Sequence, residues 1–205
     1  MSFTGDVAGQ VPTLTFGGGP TLLYSSQILS GFGNTSVVTG VNADVRWWNG
    51  QYSNQDMAFG NSATTGHVAE IRLEAAAGFD LFLQQALFGG YPNTSRFVSY
   101  QLFSDDYTQS TALATVLAGA TTPGVGMFDT NGWGNVIRLQ FTQTTDEGVA
   151  VGRGPYDVGI QDIAYVVRGT IEPPVQVSEP SGLALLAAGL GLGVVGMRRR
   201  RVRIA

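Results

Sequence analysis

The side chains that could carry out chemistry in this chain of 205 residues are of few types. There is no Cys, the single His is His67, and all 11 basic residues are Arg. The absence of Cys excludes thiolate nucleophiles, Cys-ligated zinc and iron–sulfur clusters. The absence of Lys excludes P-loop lysines and Schiff-base amines. One His cannot form a three-His metal site or an H-E-x-x-H helix. Together, these absences exclude most common catalytic schemes.

His67 is the only histidine of the chain, and a Ser–His–Asp triad would need it. No G-x-S-x-G elbow is present, so we expect a structural or surface histidine at the start of a strand. A hydrolase that uses two carboxylates as acid and base is a weaker alternative. No acid pair stands out for it, since Asp105-Asp106 and Asp146-Glu147 are typical of solvated turns.

One loop spaces oxygen ligands as a calcium site does, with Asp129 and Asn131 as the candidate ligands. An EF-hand would also have an acid at its fifth position and Glu at its twelfth, where Trp133 and Gln140 stand. The EF-hand motif therefore fails. We favour an Asx-turn between two strands, with calcium held by backbone carbonyls as the alternative. No other cofactor is expected.

Trp47 and Trp48 are the candidate residues for stacking on a sugar ring. Adjacent side chains on a strand point to opposite faces, so one indole should be buried and the other more exposed. An exposed indole beside Asn49 and Tyr52 could hold a saccharide. The interpretation we favour is one Trp in the core and one that is partly covered.

The elements that must position these residues are short extended runs separated by Gly, Asn, Asp and Pro. In 68–74, Ala69, Ile71 and Leu73 share one face and the charged residues lie on the other, as in a half-buried strand. Sequences such as Asn49-Gly and Asn131-Gly favour turns. The runs are Val11–Phe16, Thr21–Leu29, Ser36–Trp48, His67–Glu74, Phe79–Phe88, Ser95–Phe103, Ala112–Ala118, Val136–Thr142 and Val158–Val167.

This pattern predicts an all-β domain over residues 1–171, an antiparallel β-sandwich of jelly-roll type. A closed barrel of about 8 to 10 strands is the structural alternative. Residues 1–177 carry 14 acids and 6 Arg, a net charge of −8. A body of that sign has no basic face for nucleic acid, so we expect no nucleic-acid partner.

The C-terminal 34 residues change character in three steps, giving a linker, an apolar segment and a basic end. Residues 172–181 form a Pro-rich linker. Residues 182–197 are 16 apolar residues, about 24 Å as a helix against a hydrocarbon core of about 30 Å. They predict a single transmembrane helix, with a buried core helix or hairpin as the alternative. Residues 198–205 form a basic tail, and Arg198, Arg199, Arg200, Arg201 and Arg203 are the expected membrane stop on the cytoplasmic side.

The end of the linker, the apolar segment and the arginine cluster, in this order, resemble the PEP-CTERM protein-sorting signal over residues 177 to about 203. In that family, exported proteins of Gram-negative bacteria carry the signal, and an intramembrane exosortase is thought to process them near the motif. The resemblance implies that Ser178, Glu179 and Pro180 are the sorting motif. Ser178 replaces the first proline of the family's Pro-Glu-Pro, and we expect recognition to survive because the acid and the second proline are kept. A membrane anchor that is never processed is the alternative.

The body also resembles the β-sandwich domains that often precede this signal, through Gly78-Phe-Asp-Leu, Arg96-Phe-Val-Ser-Tyr and the closing strand 157–165. That resemblance assigns no catalytic residues. The arginines indicate that the body lies outside the cytoplasm, yet Met1–Gln10 has neither a basic nor an apolar region of a signal peptide. We therefore expect that Met1 is not the natural start or that an export signal has been removed.

Together these features predict an exported protein of the cell surface or extracellular matrix, anchored in the inner membrane by its tail before release. We expect a non-enzymatic structural or adhesive role, with the membrane and an exosortase-type enzyme as partners. A carbohydrate-binding module for exopolysaccharide is the alternative. A carboxylate-dependent hydrolase is the weaker one.

Overall fold

The computed structural model describes residues 1–4, 13–15, 20–33, 35–40, 43–129 and 132–170. These residues form twelve β-strands and one 3-10 turn, Gly154–Asp157. None of the described helical segments is long and apolar enough to cross a membrane. The linker 172–181, the expected membrane helix 182–197 and the basic tail 198–205 lie outside the described residues.

The strands are β1 (Ser2–Thr4), β2 (Thr13–Thr15), β3 (Leu23–Leu29), β4 (Val45–Tyr52), β5 (Gln55–Gly60), β6 (Val68–Glu74), β7 (Phe79–Gly90), β8 (Arg96–Ser104), β9 (Ala114–Ala118), β10 (Gly124–Met127), β11 (Val136–Thr144) and β12 (Val158–Gly169).

Ten of these strands form two five-stranded antiparallel sheets. Sheet I has the order β10-β7-β12-β5-β4, and sheet II has the order β3-β6-β11-β8-β9. The short strands β1 and β2 pair with each other. The all-β prediction with two antiparallel sheets is confirmed, and each sheet keeps two edge strands within the described residues.

The hydrophobic core lies between the inner faces of the two sheets, where the alternation of the sequence places it. On β6 and β11 the pairs Leu73–Ile137 and Ile71–Leu139 stand directly opposite each other. All four side chains are fully buried. Burying an aliphatic or aromatic side chain of this size stabilises a fold by about 1.5 to 3 kcal/mol. The strand pairs with the clearest period-two pattern are therefore the centre of sheet II.

Two local predictions along the chain are wrong. The run Ser36–Trp48 is not one strand, because Val37 forms only an isolated bridge to Leu29 and β4 begins at Val45. The predicted Asn49-Gly turn is instead a register shift inside β4, where Gly50 has a φ of +67°.

The hairpin between β4 and β5 turns at Ser53 and Asn54, with φ of 52° and 59°. Left-handed φ at both central residues suits the twist of a two-residue hairpin. Asn49-Gly is the stronger turn sequence by residue type, but the pairing of β4 with β5 continues past it and ends at Tyr52 and Gln55.

Candidate functional site

Trp47 and Trp48 differ in their exposure and surroundings. Trp47 is 6% exposed, and within the described part of the chain its buried indole Nε1 has no hydrogen-bond partner. Trp48 is partly exposed and packs edge-on against Phe59, with ring centroids 6.1 Å apart. Trp48 is thus the only one of the two with solvent-accessible ring surface to offer a ligand.

The surroundings of Trp48 are a packed aromatic cluster rather than a binding cleft. Tyr52 stacks on Phe59 with centroids 5.6 Å apart. The guanidinium of Arg153 lies 4.6 Å from the ring centre of Tyr156 and forms an ion pair of 2.6 Å with the buried Asp157. Cation–π and charge-assisted contacts of this kind stabilise the cluster.

His67 has a serine partner that sequence spacing did not single out. The Nδ1 atom of His67 and the Oγ atom of Ser62 are 2.7 Å apart, and Ser62 is buried. The backbone carbonyl of His67 accepts a hydrogen bond of 2.7 Å from Thr142 Oγ1. Within the described residues no carboxylate hydrogen-bonds to this imidazole, so the third member of a triad is not in place.

A buried carboxylate, Glu70, lies at the centre of the outer face of sheet II and is 1% exposed. Its Oε1 atom accepts hydrogen bonds from Gln27 at 2.8 Å and from Arg138 at 2.9 Å. Its Oε2 atom accepts hydrogen bonds from Tyr107 and Gln140, both at 2.7 Å. Four donors satisfy both oxygens, so Glu70 is a structural anchor with no atom left for a substrate.

The loop from Ser104 to Thr111, between β8 and β9, is held over this face by a second carboxylate. Arg72 and Arg138 stand opposite each other in the β6–β11 register, and like charges so placed repel. Asp105 lies between them, 3.1 Å from Arg72 Nε and 2.6 Å from Arg138 Nη2. The hydrogen bonds from Arg72 and Arg138 lower the pKa of the Asp105 carboxyl. Asp105 and Asp106 are both exposed, as expected for a solvated turn, and Asp105 in addition pairs with two arginines.

The third tryptophan, Trp133, borders two open cavities on the connection from β10 to β11. One cavity of about 380 Å³ is also lined by Tyr100 and Asp129. The other, of about 490 Å³, is also lined by Asp106 and Gln109. We call Trp133 and these two cavities the Trp133 groove. In the sequence, Trp133 was noted only as the residue at which the EF-hand motif fails, although the glycines on either side of it indicate a loop at the surface.

Backbone contacts fix the connection that carries Trp133. Gly132 and Gly134 have φ of 63° and 103°, a region that side chains disfavour. The carbonyl of Gly134 accepts a hydrogen bond of 2.9 Å from Leu81 N, and the carbonyl of Asn135 accepts one of 2.8 Å from Ala75 N. The indole is thereby presented on a backbone tied to the start of β7.

Tyr100 lines the first cavity beside Trp133. Its ring stacks on Phe88 with centroids 5.0 Å apart and meets Phe128 edge-on at 5.3 Å. Its hydroxyl donates to the carbonyl of Met127 at 3.3 Å and accepts from the Met127 amide at 3.2 Å. Burial raises the pKa of this phenol. This side of the cavity is therefore rigid and aromatic.

Asp106, which lines the second cavity with Trp133, receives its hydrogen bonds from Ser104 and Thr108 on one carboxylate oxygen. Ser104 Oγ, Thr108 Oγ1 and the Thr108 amide all donate to Oδ1, at 2.7, 2.8 and 3.1 Å. The hydrogen bonds from Ser104 and Thr108 lower the pKa of this carboxyl. None of these three donors contacts Oδ2. Asp106 thus offers an ionised acceptor to the second cavity.

The predicted calcium ligands are only partly within the described residues. Asp129 is exposed and lines the first cavity, whereas Asn131 lies outside the described residues. The described part of the chain has no group of three or more His, Cys, Asp or Glu side chains that could hold a metal ion.

The predicted sorting motif, Ser178, Glu179 and Pro180, also lies outside the described residues. The same is true of the membrane-stop arginines Arg198, Arg199, Arg200, Arg201 and Arg203. The chain has no significant match among protein-family models, curated proteins or solved structures.

Proposed function

We propose that this chain is an exported protein of the cell surface or extracellular matrix, with a non-enzymatic structural or adhesive role. The single observation that carries the proposal is the order of the tail: the motif Ser178–Pro180, the apolar segment 182–197 and the arginine cluster. That order resembles the PEP-CTERM sorting signal. The tail anchors the protein in the inner membrane, and an exosortase-type enzyme then passes the body to the surface.

The body that would be delivered is, in this proposal, a jelly roll. Eight of its strands have the orders β5-β12-β7-β10 and β6-β11-β8-β9, in which all neighbours except β8 and β9 are separated in sequence. Such crossing between two sheets is typical of a double Greek key. The strands β4 and β3 extend one edge of each sheet.

A non-enzymatic role fits the partners of the buried acids. Glu70 is saturated by four donors, and Asp157 accepts hydrogen bonds from the side chain and backbone amide of Arg153. A carboxylate pair for glycoside hydrolysis needs free oxygens that face a cleft. Both of these buried acids serve the fold instead.

A release assay tests the sorting proposal. The chain is expressed behind a cleavable export signal in a Gram-negative host with an exosortase, and protein released from the surface is measured. We expect Glu179→Ala to reduce release severalfold, because it removes the acid of the motif. Glu172→Ala, in the same linker, is the matched control and should release normally. Equal release of both variants would contradict the proposal.

A second candidate function is a carbohydrate-binding module for exopolysaccharide. The observation that favours it is Trp133, an indole that lines two open cavities whose other lining residues are partly polar. Trp133 is partly buried against the core, as Trp48 is against Phe59, but it lines both cavities and so replaces Trp48 as the candidate to stack on a sugar.

A further inference from the structure

We propose that the Trp133 groove binds a chain of neutral sugars, with consecutive sugar units in the two cavities that meet at the indole of Trp133. This inference rests on the second candidate function and gives it a site, a ligand class and a basis for selectivity.

The size of the groove suits this ligand. Sites for small molecules are typically clefts of about 300 to 1,000 Å³. The two cavities, of about 380 and 490 Å³, each reach that range, and both include Trp133 in their lining. Because both are open to solvent, a polymer could pass along them without needing a free end.

The chemistry of the groove suits a sugar, which has an apolar face of C–H groups and a rim of hydroxyls. The indole of Trp133 and the ring of Tyr100 supply apolar and aromatic surface. Asp106 Oδ2 supplies an ionised acceptor for a sugar hydroxyl, and Ser110 and Thr111 add polar groups to the wall of the first cavity. Apolar lining with a few placed polar groups is the usual composition of a ligand site.

The charges of the groove select against anionic sugars. Asp105 is balanced by Arg72 and Arg138. Asp106 and Asp129, one in each cavity, form no ion pair with any described residue. Two unbalanced carboxylates facing a ligand repel uronic acids and sulfated sugars. A neutral saccharide is therefore the class that the groove accepts.

Both walls of the groove are held in place before any ligand arrives. The loop with Asp106 is fixed by Asp105 and by the hydrogen bond of 2.7 Å from Tyr107 to Glu70. On the Trp133 side, the backbone carbonyls of Gly134 and Asn135, directly after Trp133, accept hydrogen bonds from Leu81 and Ala75. Preorganisation lowers the entropy lost on binding, which otherwise offsets the weak contacts of a sugar.

The test uses the full chain in mild detergent on an array of neutral and uronic-acid-containing oligosaccharides, followed by titration of the best neutral oligosaccharide with tryptophan fluorescence as the readout. We expect retention on neutral glycans and none on uronic-acid glycans. Trp133→Ala should raise the Kd at least tenfold and abolish the fluorescence change. Trp48→Ala, which alters the other partly exposed indole, is the matched control and should leave the Kd within twofold.

Asp106→Asn is a second variant, used in case Trp133→Ala does not fold. We expect Asp106→Asn to fold, because the asparagine side-chain oxygen can still accept hydrogen bonds from Ser104 and Thr108. We expect a Kd at least threefold higher for the neutral glycan and measurable retention on uronic-acid glycans. Preference for uronic-acid glycans in the unmodified chain, or a Trp133→Ala variant that binds normally, overturns the inference. Loss of binding in Trp48→Ala alone refutes the site but keeps the second candidate function. No retention of any glycan refutes both, and leaves the sorting proposal to its own assay.

Discussion

Asp105 and Asp106 show how far two adjacent residues can differ in role. Asp105 is shared by two arginines of sheet II and holds a loop in place. Asp106 has no cationic partner among the described residues, and its hydrogen bonds all come from its own turn. The same residue type is thus an anchor at one position and a candidate ligand contact at the next.

Tyr24, on β3, gives the fold a dependence on alkaline pH. Its ring meets Phe3 edge-on at 5.8 Å, and burial raises its pKa from the ordinary 10.0 to about 12. Because the folded pKa lies above the unfolded one, the contribution of the neutral phenol is complete below pH 10 and is lost as the pH rises towards 12. We expect the free energy of unfolding to fall across that interval, by about 2 kcal/mol from this residue.

Urea titrations at several alkaline pH values measure this fall. Tyr24→Phe keeps the ring and removes the ionisable group, so its unfolding free energy should fall less steeply over the same interval. An identical slope for the variant and the unmodified chain would show that Tyr24 does not carry the effect.

At the scale of elements, the outer face of sheet II is where loops are fastened to strands. Glu70 of β6 joins Gln27 of β3, Gln140 and Arg138 of β11, and Tyr107 of the loop after β8. Gln140 in turn accepts a hydrogen bond of 2.9 Å from the Gly33 amide of a second loop. The Glu70 carboxylate therefore connects β6 directly to β3, to β11 and to the loop of Tyr107. Through Gln140 it also connects to the loop of Gly33.

Glu70→Gln should destabilise the fold by about 1 to 3 kcal/mol, since it turns one buried acceptor into a donor and leaves Arg138 with Asp105 as its remaining counter-charge. Glu74→Gln, on the same strand and face, is the control. Glu74 pairs with Arg72 at a more exposed position, so its loss should cost less than about 1 kcal/mol. Equal changes in the urea midpoint for the two variants would contradict the proposed role of Glu70.

The period-two pattern was enough to predict β6 and β11 as half-buried strands, because alternate residues over 69–73 and 137–141 are aliphatic or aromatic. It was not enough for the hairpin of β4 and β5. There, two sequences compete for the turn, and the pairing of the strands decides between them. Strands β1, β5 and β10 were also missed. β1 and β10 have only three or four residues, and β5 has four consecutive buried residues instead of an alternating pattern.

The candidate groove could not be predicted from spacing either. Trp133 and Asp106 are 27 residues apart in sequence, and strand pairing of β8 with β11 brings their loops together. Glu70 was expected on the polar face of its strand, which is correct, but its burial depends on loops that fold over that face. Contacts made by distant loops leave no periodic signal in either segment.

At the scale of the whole molecule, the distribution of charge is the main feature. Residues 1–177 have a net charge of −8, and residues 178–205 have a net charge of +4. Arginines that follow an apolar segment favour the cytoplasmic side of a membrane, which would leave the acidic body on the other side. In the proposed function the basic end is removed, and only the acidic body reaches the surface.

The mass of the mature protein tests this account most directly. Intact mass spectrometry is applied to the form released from the surface of a host that has an exosortase. The account predicts a species that ends near Ser178–Pro180 and lacks residues 182–205. A released form that retains Gly182–Ala205 would contradict it.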